Sequence, residues 1–373
     1  MQNVIGGLSY SIANPLSAHI HGPLCTFSED VLTPPFALTH VLTATVGRLQ
    51  TFTLSSEDMG SAADLSMGKA LVAAWQQDGI LQISMDAEQQ TLYKAANKVS
   101  KRFFRKPFHQ KAAGEELTDG LTNYSEIFTV TKDLDLDDPR VSAKWLCHGC
   151  CPWPDADLRD PVKKYMDSLG QTGKKLLWLI ELGINIPEGS LTRITKDRFP
   201  ASNVIHGKGG DGRGIDSYTD YGLLVIAAAD DVGALFVRPP HKDESVANWE
   251  RSVAGMKEDS VGWVFIPPAE NIFTGDMMQY ITNSVLPSTL HKVGLNTKAR
   301  FDFAYFHEPN FQTVIKPLPG YKAGQSPEEG IHYGKHFTNI FMRNYPECIT
   351  THRLVDKGWY KLLDTEALQT ITD

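Results

Sequence analysis

The sequence predicts a mainly β protein with a barrel or jelly-roll core and flanking α-helices. Two observations support this fold class: before residue 185 apolar residues recur at helical spacing, and from residue 199 onward short β-rich runs alternate with turns. The 373 residues could form two or three domains, but a β-barrel with helices can also use this length as one unit. We expect four regions: a poorly ordered leader (1–48), a mixed helical region (49–185), a β core (186–320) and a C-terminal helical segment packing on the core (321–373).

The leader and the overall composition exclude several classes of protein. Residues 1–48 are rich in Ser, Thr, Pro, Gly and His without a clear period, which indicates a loosely ordered leader or a gene-model extension. The first basic residue is Arg48 and no continuous apolar segment precedes it, unlike a secretory signal or a presequence. A net charge of -8 disfavours nucleic acid, and no apolar stretch is long enough to span a membrane. The five cysteines do not resemble a disulfide framework, so we expect a cytoplasmic protein.

The first half of the chain contains three amphipathic segments. Apolar residues at helical spacing predict a helix over Ser66–Gln77, which ends at Asp78-Gly79, and a short strand follows at Ile80–Ile83. A second helix is predicted over Ala87–Phe104, with basic residues near its C-terminal end. The long amphipathic segment from Asp160 to Leu182 predicts a helix that packs against a sheet.

From Phe199 the apolar pattern becomes that of short strands. Runs of this length between turn signals are typical of an all-β barrel or jelly roll. From Tyr333 onward the pattern returns to mixed helix and loop. The predicted strands are 203–206, 222–228, 234–238, 262–266, 277–281, 291–293 and 301–306.

The strongest candidate site consists of residues with the spacing of metal ligands. In an extended strand residues two apart share a face, so Asp216, Tyr218 and Asp220 are expected to point to the same side. His291 precedes a hairpin signal and would supply an imidazole. A carboxylate and an imidazole with open coordination positions are part of the facial triad of non-haem Fe(II) oxygenases, whose first strand position is normally a second imidazole. That position is Tyr218 here.

Arg300 opens the strand that follows this hairpin. Alternation places Arg300, Asp302, Ala304 and Phe306 on one face of that strand. An inward guanidinium can bind a carboxylate through two hydrogen bonds. This would suit the distal carboxylate of 2-oxoglutarate.

Several long blocks of the chain carry a family resemblance. The chain resembles the isopenicillin-synthase-like branch of the 2-oxoglutarate/Fe(II)-dependent oxygenases, and within it most closely the ethylene-forming enzymes. The resemblance implies a double-stranded β-helix (jelly-roll or cupin-like) core, and Fe(II) and 2-oxoglutarate as cofactor and co-substrate. The blocks are Leu49–Phe52, Ala74–Ile80, Glu126–Val130, Asp220–Ala228, Ala304–Phe311 and His332–Gly334.

The resemblance also implies roles for individual residues. Asp220 and His291 would be the metal ligands and Arg300 the contact of the 2-oxoglutarate carboxylate. Arg343 matches an arginine that holds the amino-acid co-substrate, and Tyr221 matches a tyrosine beside it. Asn203 ends the segment that corresponds to a strand bearing an arginine near the 2-oxoglutarate carboxylate, and it is the cofactor-binding candidate there.

Tyr218 leaves the chemistry open between two classes. A phenolate favours ferric iron, and a metal must displace the phenol proton. One interpretation is a 2-oxoglutarate-dependent dioxygenase-like oxidoreductase that uses O2 on a small molecule, an amino acid or a specialised metabolite, with Tyr218 or water completing the metal site. The alternative is a non-oxidative enzyme, such as an isomerase or lyase, or a ligand-binding pseudo-enzyme in the same pocket. Asp216 and His206 are candidate surrogate ligands.

Overall fold

A computed structural model describes most of the chain beyond residue 59. The described residues are 11–12, 45–55, 60–107, 117–118, 125–131, 133–142, 148–151, 153–196, 201–207, 215–239, 263–294, 298–321, 330–344, 346 and 349–359. For residues 11–12, 45, 117–118, 125–126, 201–207, 215–216, 344 and 349–350 only the backbone is described. Most of the predicted leader therefore lies outside the described residues.

In the described part of the chain, the α-helices lie before residue 184 or after residue 332, except for one short helix at Asp276–Ile281. Their bounds are α1 Ala62–Asp78, α2 Ala87–Phe104, α3 Pro139–Ser142, α4 Ala156–Gly183, α5 Asp276–Ile281, α6 Tyr333–Asn344 and α7 Ile349–Asp356. The predicted helix over Ala87–Phe104 is confirmed at both ends, and the other two predicted helices extend a few residues further. None of the helices in the described part of the chain is long and apolar enough to cross a bilayer.

The helix boundaries follow from local capping. Ser61 accepts a hydrogen bond from the backbone N–H of Asp64, whose carboxylate in turn accepts one from Ser61, forming a capping box at the start of α1. Gly79 ends α1 in the left-handed conformation, which glycine adopts without steric penalty. Helix α4 begins after Asp155, whose side chain accepts a hydrogen bond from the N–H of Leu158.

Most strands belong to two sheets. The larger sheet has the order β3-β4-β12-β9-β14-β7-β6 and the smaller one β2-β11-β10-β13-β8. The remaining strands form the pairs β1-β5 and β15-β16. The bounds are β1 Ser11–Ile12, β2 Thr45–Val46, β3 Thr51–Phe52, β4 Ile80–Ile83, β5 Leu117–Thr118, β6 Ser125–Val130, β7 Ala201–Gly207, β8 Ile215–Tyr218, β9 Leu224–Ala229, β10 Leu235–Arg238, β11 Val264–Phe265, β12 Glu270–Thr274, β13 Leu290–Val293, β14 Arg300–His307, β15 Val314–Ile315 and β16 Ile331–His332.

Two apolar layers hold these elements together. One lies between the two sheets, where Val225 and Phe273 of the larger sheet pack with Val237 of the smaller sheet. The other lies on the opposite face of the larger sheet, which α1, α2 and α4 cover; its largest fully buried side chains include Trp75 and Tyr165. The Trp75 indole N–H donates to the carbonyl of Ile272 at 3.1 Å, so this buried polar group is satisfied. The inner faces of the two sheets thus face each other across the first of these layers.

One predicted strand is wrong. The segment predicted as a strand over 277–281 is part of helix α5, which begins at Asp276 after the extended residue Gly275. A short apolar run does not distinguish a buried helix from a buried strand. The backbone N–H groups at the start of α5 donate to the chain that follows β8: Asp276 donates to the carbonyl of Asp220 at 2.8 Å and Met277 to that of Gly222 at 3.0 Å. These long-range bonds favour the helix.

Candidate active site

Two buried side chains from the smaller sheet meet at its inner face. Asp220 lies two residues beyond the end of β8, and His291 lies in the neighbouring strand β13. The His291 Nε2 atom and the Asp220 Oδ2 atom are 3.4 Å apart, and both side chains are almost completely buried. The structure therefore brings together the two residues predicted as metal ligands.

Neighbouring groups fix the orientation of the His291 ring. Its Nδ1–H donates to the backbone carbonyl of Thr289 at 2.9 Å, so the lone pair of the neutral ring is on Nε2, which faces Asp220. The ring lies between Tyr218 and Phe273, with centroid distances of 4.3 and 4.5 Å. The imidazole is thus held in the tautomer and direction that metal binding requires.

Burial sets the protonation of this pair. It raises the pKa of Asp220 to about 7 and lowers the pKa of His291 to about 4, although the hydrogen bond to Thr289 opposes the second shift. The Oδ2 atom of Asp220 is buried and accepts no hydrogen bond from the described residues. When two ligand atoms each lie about 2.1 Å from one metal ion, a ligand–metal–ligand angle of roughly 90–110° places them about 3.0–3.4 Å apart. An unpartnered carboxylate oxygen facing an imidazole lone pair at this separation fits a divalent cation.

Tyr218 lies beside the candidate metal pair. It pairs directly opposite His291 in the antiparallel register of β8 and β13. Among the described residues, no group of three His, Cys, Asp or Glu side chains could hold a metal. The side chains of the surrogate candidates Asp216 and His206 lie outside the described part of the chain. The described residues therefore provide two common metal ligands and a phenol beside them.

Arg300 is buried at the start of β14 and contacts an acidic side chain. Its guanidinium contacts the carboxylate of Asp302, two residues along the same strand. Burial lowers the pKa of Arg300 to about 10, and the charges of Tyr218 and Asp230 act in the opposite direction. Tyr218 is therefore within electrostatic reach of Arg300 as well as in contact with His291.

A buried carboxyl group supports the turn between Asp220 and β9. The Glu308 carboxyl lies directly on Gly222, where a β-carbon would overlap it. The Tyr333 hydroxyl donates to Glu308 from the start of α6. Burial raises the pKa of Glu308 to about 8, and Asp220 and Asp276 contribute in the same direction. A side chain at position 222 would therefore have to displace the buried Glu308 carboxyl.

Of the candidate substrate residues, one packs against helix α6 and the other belongs to it. Half-buried Tyr221 packs edge-on against Phe337, with ring centroids 6.1 Å apart. Arg343 is exposed in the last turn of α6. Burial lowers the pKa of His336 to about 4, and the Arg343 charge adds to that shift. Asn203 pairs opposite Ala304 of β14, and its side chain lies outside the described residues.

Two site residues were missed by sequence reasoning, and for a third only the contact was not foreseen. Phe273 is an ordinary apolar strand residue in the sequence, and only the packing of the two sheets brings it to His291. Glu308 follows the apolar run of β14, where a buried acid gives no periodic signal. Asp302 was recognised on the same face as Arg300, and that alternation could have predicted their contact.

The fold and the site together define a class of protein. A carboxylate and an imidazole lie between two sheets, next to a buried arginine, with helices covering the outer face of the larger sheet. This combination is typical of non-haem metal enzymes built on a β core. Comparison with known proteins identifies the family.

The chain matches no protein-family model. It is 42% identical over 345 residues to the 2-oxoglutarate-dependent ethylene/succinate-forming enzyme of Ralstonia nicotianae, and the match covers 85% of this chain and 98% of that enzyme. A solved 2OG-Fe(II) oxygenase family protein of Caulobacter crescentus has a TM-score of 0.64 at 18% identity, covering 79% of this chain and 99% of that one. A full-length Neurospora crassa protein, solved in complex with alpha-KG and 5-formyluracil, has a TM-score of 0.63 at 20% identity, covering 81% and 99%.

The chain belongs to the 2-oxoglutarate-dependent oxygenase family. This membership confirms the predicted family, its oxidoreductase class, and Fe(II) and 2-oxoglutarate as the cofactor and co-substrate of that family. The matches support the oxygenase interpretation and not the non-oxidative alternative. The structural likeness also confirms a β core with flanking helices.

Proposed function

We propose that the chain is an Fe(II)- and 2-oxoglutarate-dependent oxidoreductase with a double-stranded β-helix core, acting on a small molecule with O2 as oxidant. The observation that carries the proposal is the pair formed by Asp220 and His291, buried and 3.4 Å apart, with an unpartnered carboxylate oxygen. Such a pair is unfavourable without a cation or a proton between its members. A divalent metal provides the missing charge.

In this proposal Asp220 and His291 hold the iron. The metal would supply the redox chemistry that couples oxidation of the substrate to conversion of 2-oxoglutarate into succinate. Thr289 keeps the Nε2 lone pair of His291 available through the hydrogen bond on Nδ1. Phe273 and the apolar layer between the sheets exclude water from this side of the site.

Arg300 is the proposed contact of the distal carboxylate of 2-oxoglutarate, with Asn203 on the adjacent strand as a second cofactor-binding residue. Arg300 lies on the strand of the larger sheet that pairs with both β7 and β9. Its 7% exposure means that a ligand carboxylate would reach it in a largely dry environment, where a charged hydrogen bond is strong.

Tyr218 is the proposed catalytic residue on the open side of the metal pair. Its ring packs against that of His291 at a tilted angle, and it lies within the electrostatic reach of Arg300, so in this proposal it borders both the metal and the co-substrate. Its hydroxyl can complete the metal site or orient a metal-bound water.

Tyr221 and Arg343 are the proposed substrate-binding residues. Tyr221 follows Asp220 directly and packs on α6, and Arg343 lies at the C-terminal end of that helix. An exposed guanidinium and a half-buried aromatic ring on the same helix side suit a substrate with a carboxylate and an organic side chain, such as an amino acid or a specialised metabolite.

Anaerobic titration of the full chain with Fe(II) and 2-oxoglutarate, followed by a succinate assay in oxygen, tests the proposal. We expect the visible absorption of the iron chelate and succinate formation, with both lost in His291→Ala and retained in His352→Ala, a matched control at an exposed position of α7. Absence of both signals in the wild-type protein would refute the oxygenase function. A Tyr218→His variant is expected to increase succinate formation uncoupled from substrate, because it restores a nitrogen ligand.

A further inference from the structure

The strand that carries Arg300 also carries a buried acid toward the same pocket. Residues of β14 alternate between two environments: Phe303 packs against the helices, whereas Phe306 packs in the layer between the sheets. Arg300 and Asp302 share the parity of Phe306, so both face the space between the sheets. They are 7% and 9% exposed and in direct contact.

This contact leaves the surroundings of Arg300 without a net positive charge. Asp302 neutralises Arg300 directly, and Asp230 acts on Arg300 at longer range. Asp230 is itself 3.8 Å from Lys101, so its charge is partly shared. A ligand carboxylate that binds Arg300 here must also approach the carboxylate of Asp302, and like charges in a buried site repel strongly.

Asp302 also offers a hydrogen-bond acceptor that the described residues do not use. Its Oδ1 atom is buried and has no hydrogen-bond partner among them, and a buried acceptor of this kind normally has a donor. The pair therefore presents donors from Arg300 and an acceptor from Asp302 side by side. The chemical group that matches this pattern is a primary carboxamide, which has a carbonyl oxygen and an N–H donor in one plane.

We propose that Asp302 determines co-substrate specificity and that the pocket binds 2-oxo acids with a terminal carboxamide more tightly than 2-oxoglutarate itself. The inference rests on the proposed function, because it takes a 2-oxo acid as the ligand of this pocket. The amide oxygen accepts from Arg300 and the amide nitrogen donates to the Oδ1 atom of Asp302. A terminal carboxylate also accepts hydrogen bonds from Arg300, but it then faces the carboxylate of Asp302.

Stable, non-oxidisable probes test this selectivity by binding alone. N-Oxalylglycine carries the terminal carboxylate of 2-oxoglutarate, and N-oxalylglycinamide replaces it with an amide. We expect calorimetry on the Fe(II)-loaded full chain without oxygen to give at least tenfold tighter binding of the amide. Asp302→Asn keeps the side-chain shape but removes the charge, so the acid should bind at least tenfold more tightly to this variant. Asp231→Asn, at an exposed position, is the matched control and should leave the ratio unchanged.

A second pair of probes separates this inference from the proposed function. Glutarate and its monoamide lack the 2-oxo group, so their binding to the metal-free chain reports on the Arg300 end alone. If Fe(II) does not bind but the monoamide is preferred and Asp302→Asn abolishes the preference, the oxygenase function fails and the specificity stands. Equal or tighter binding of the acid by the wild-type protein, a ratio unaffected by Asp302→Asn, or no binding of any probe would overturn the specificity proposal.

Discussion

Replacement of Glu270 by Gln should change how the stability of the fold depends on pH. Glu270 lies on β12, faces the helices and is 3% exposed. The amide of Gln89 donates to its Oε1 atom at 3.2 Å, whereas its Oε2 atom has no hydrogen-bond partner in the described part of the chain. Burial, with a smaller contribution from Asp86, raises the pKa of Glu270 from 4.5 to about 8. The carboxyl is therefore protonated in the folded protein at neutral pH.

The magnitude follows from the difference between the folded and unfolded states. Between pH 4.5 and 8 the unfolded chain has released the proton of Glu270 while the folded chain keeps it. The contribution of the group to stability is fully present below pH 4.5 and falls by about 1.4 kcal/mol per pH unit until the folded pKa is reached. Over this range the loss is about 5 kcal/mol, a large part of the stability of an ordinary domain. Glutamine does not titrate and retains an acceptor for Gln89.

Urea unfolding at about pH 5, 6, 7 and 8 measures this effect. Glu270→Gln should gain free energy of unfolding relative to wild type by about 1.4 kcal/mol for each pH unit. Glu88→Gln, an exposed change near the start of α2, provides the control and should show a constant difference. Other buried acids are the same in all three proteins, so their titration cancels in the comparison. A Glu270→Gln difference that does not change with pH would refute the reasoning.

Three further outcomes follow from the packing and charge of the site. Gly222→Ala should reduce stability by about 1–3 kcal/mol and weaken metal binding, because the new methyl group overlaps the Glu308 carboxyl; unchanged urea midpoint and metal affinity would contradict the described contact. Calorimetric Co(II) affinity should fall about tenfold per pH unit below pH 7, because the metal must displace the proton of Asp220; an affinity independent of pH between about 5 and 7 would contradict this. Gly68→Ala should lower the free energy of unfolding by about 1–3 kcal/mol, because its methyl group overlaps the Leu179 carbonyl where α1 crosses α4, and a melting temperature equal to that of wild type would disprove that close approach.

Periodicity predicted the helices better than the strands. The apolar spacing in α2 and α4 extends over several turns, so the signal accumulates and their positions were correct. The segment 277–281 has the length of a strand, and its helical conformation depends on hydrogen bonds to the chain after β8, more than fifty residues earlier. Local sequence contains no information about that partner.

The site was predictable where it depends on sequence position and unpredictable where it depends on packing. Asp220, His291 and Arg300 were found from strand alternation and from resemblance, and the structure brings the first two into contact. The position of Glu308 on Gly222 results from the way β14 and α6 meet the turn after Asp220, which no spacing rule expresses. The roles of Arg343 and Asn203 remain predictions.

The two unusual residues of the pocket act on the same small volume. Tyr218 lies opposite His291 and is close enough to Arg300 to affect its pKa, while Asp302 contacts Arg300 from the same strand. Both therefore border the space between the metal pair and the arginine, where the 2-oxo acid is proposed to bind. Hydrogen bonds support this space: His291 bonds to the carbonyl of Thr289, and the start of α5 bonds to the turn after β8. Under the roles proposed above, Tyr218→His would place a nitrogen ligand beside His291 but leave the Asp302 carboxylate in contact with Arg300. We therefore expect Tyr218→His combined with Asp302→Asn to raise succinate formation from 2-oxoglutarate above that of wild type and of Tyr218→His alone.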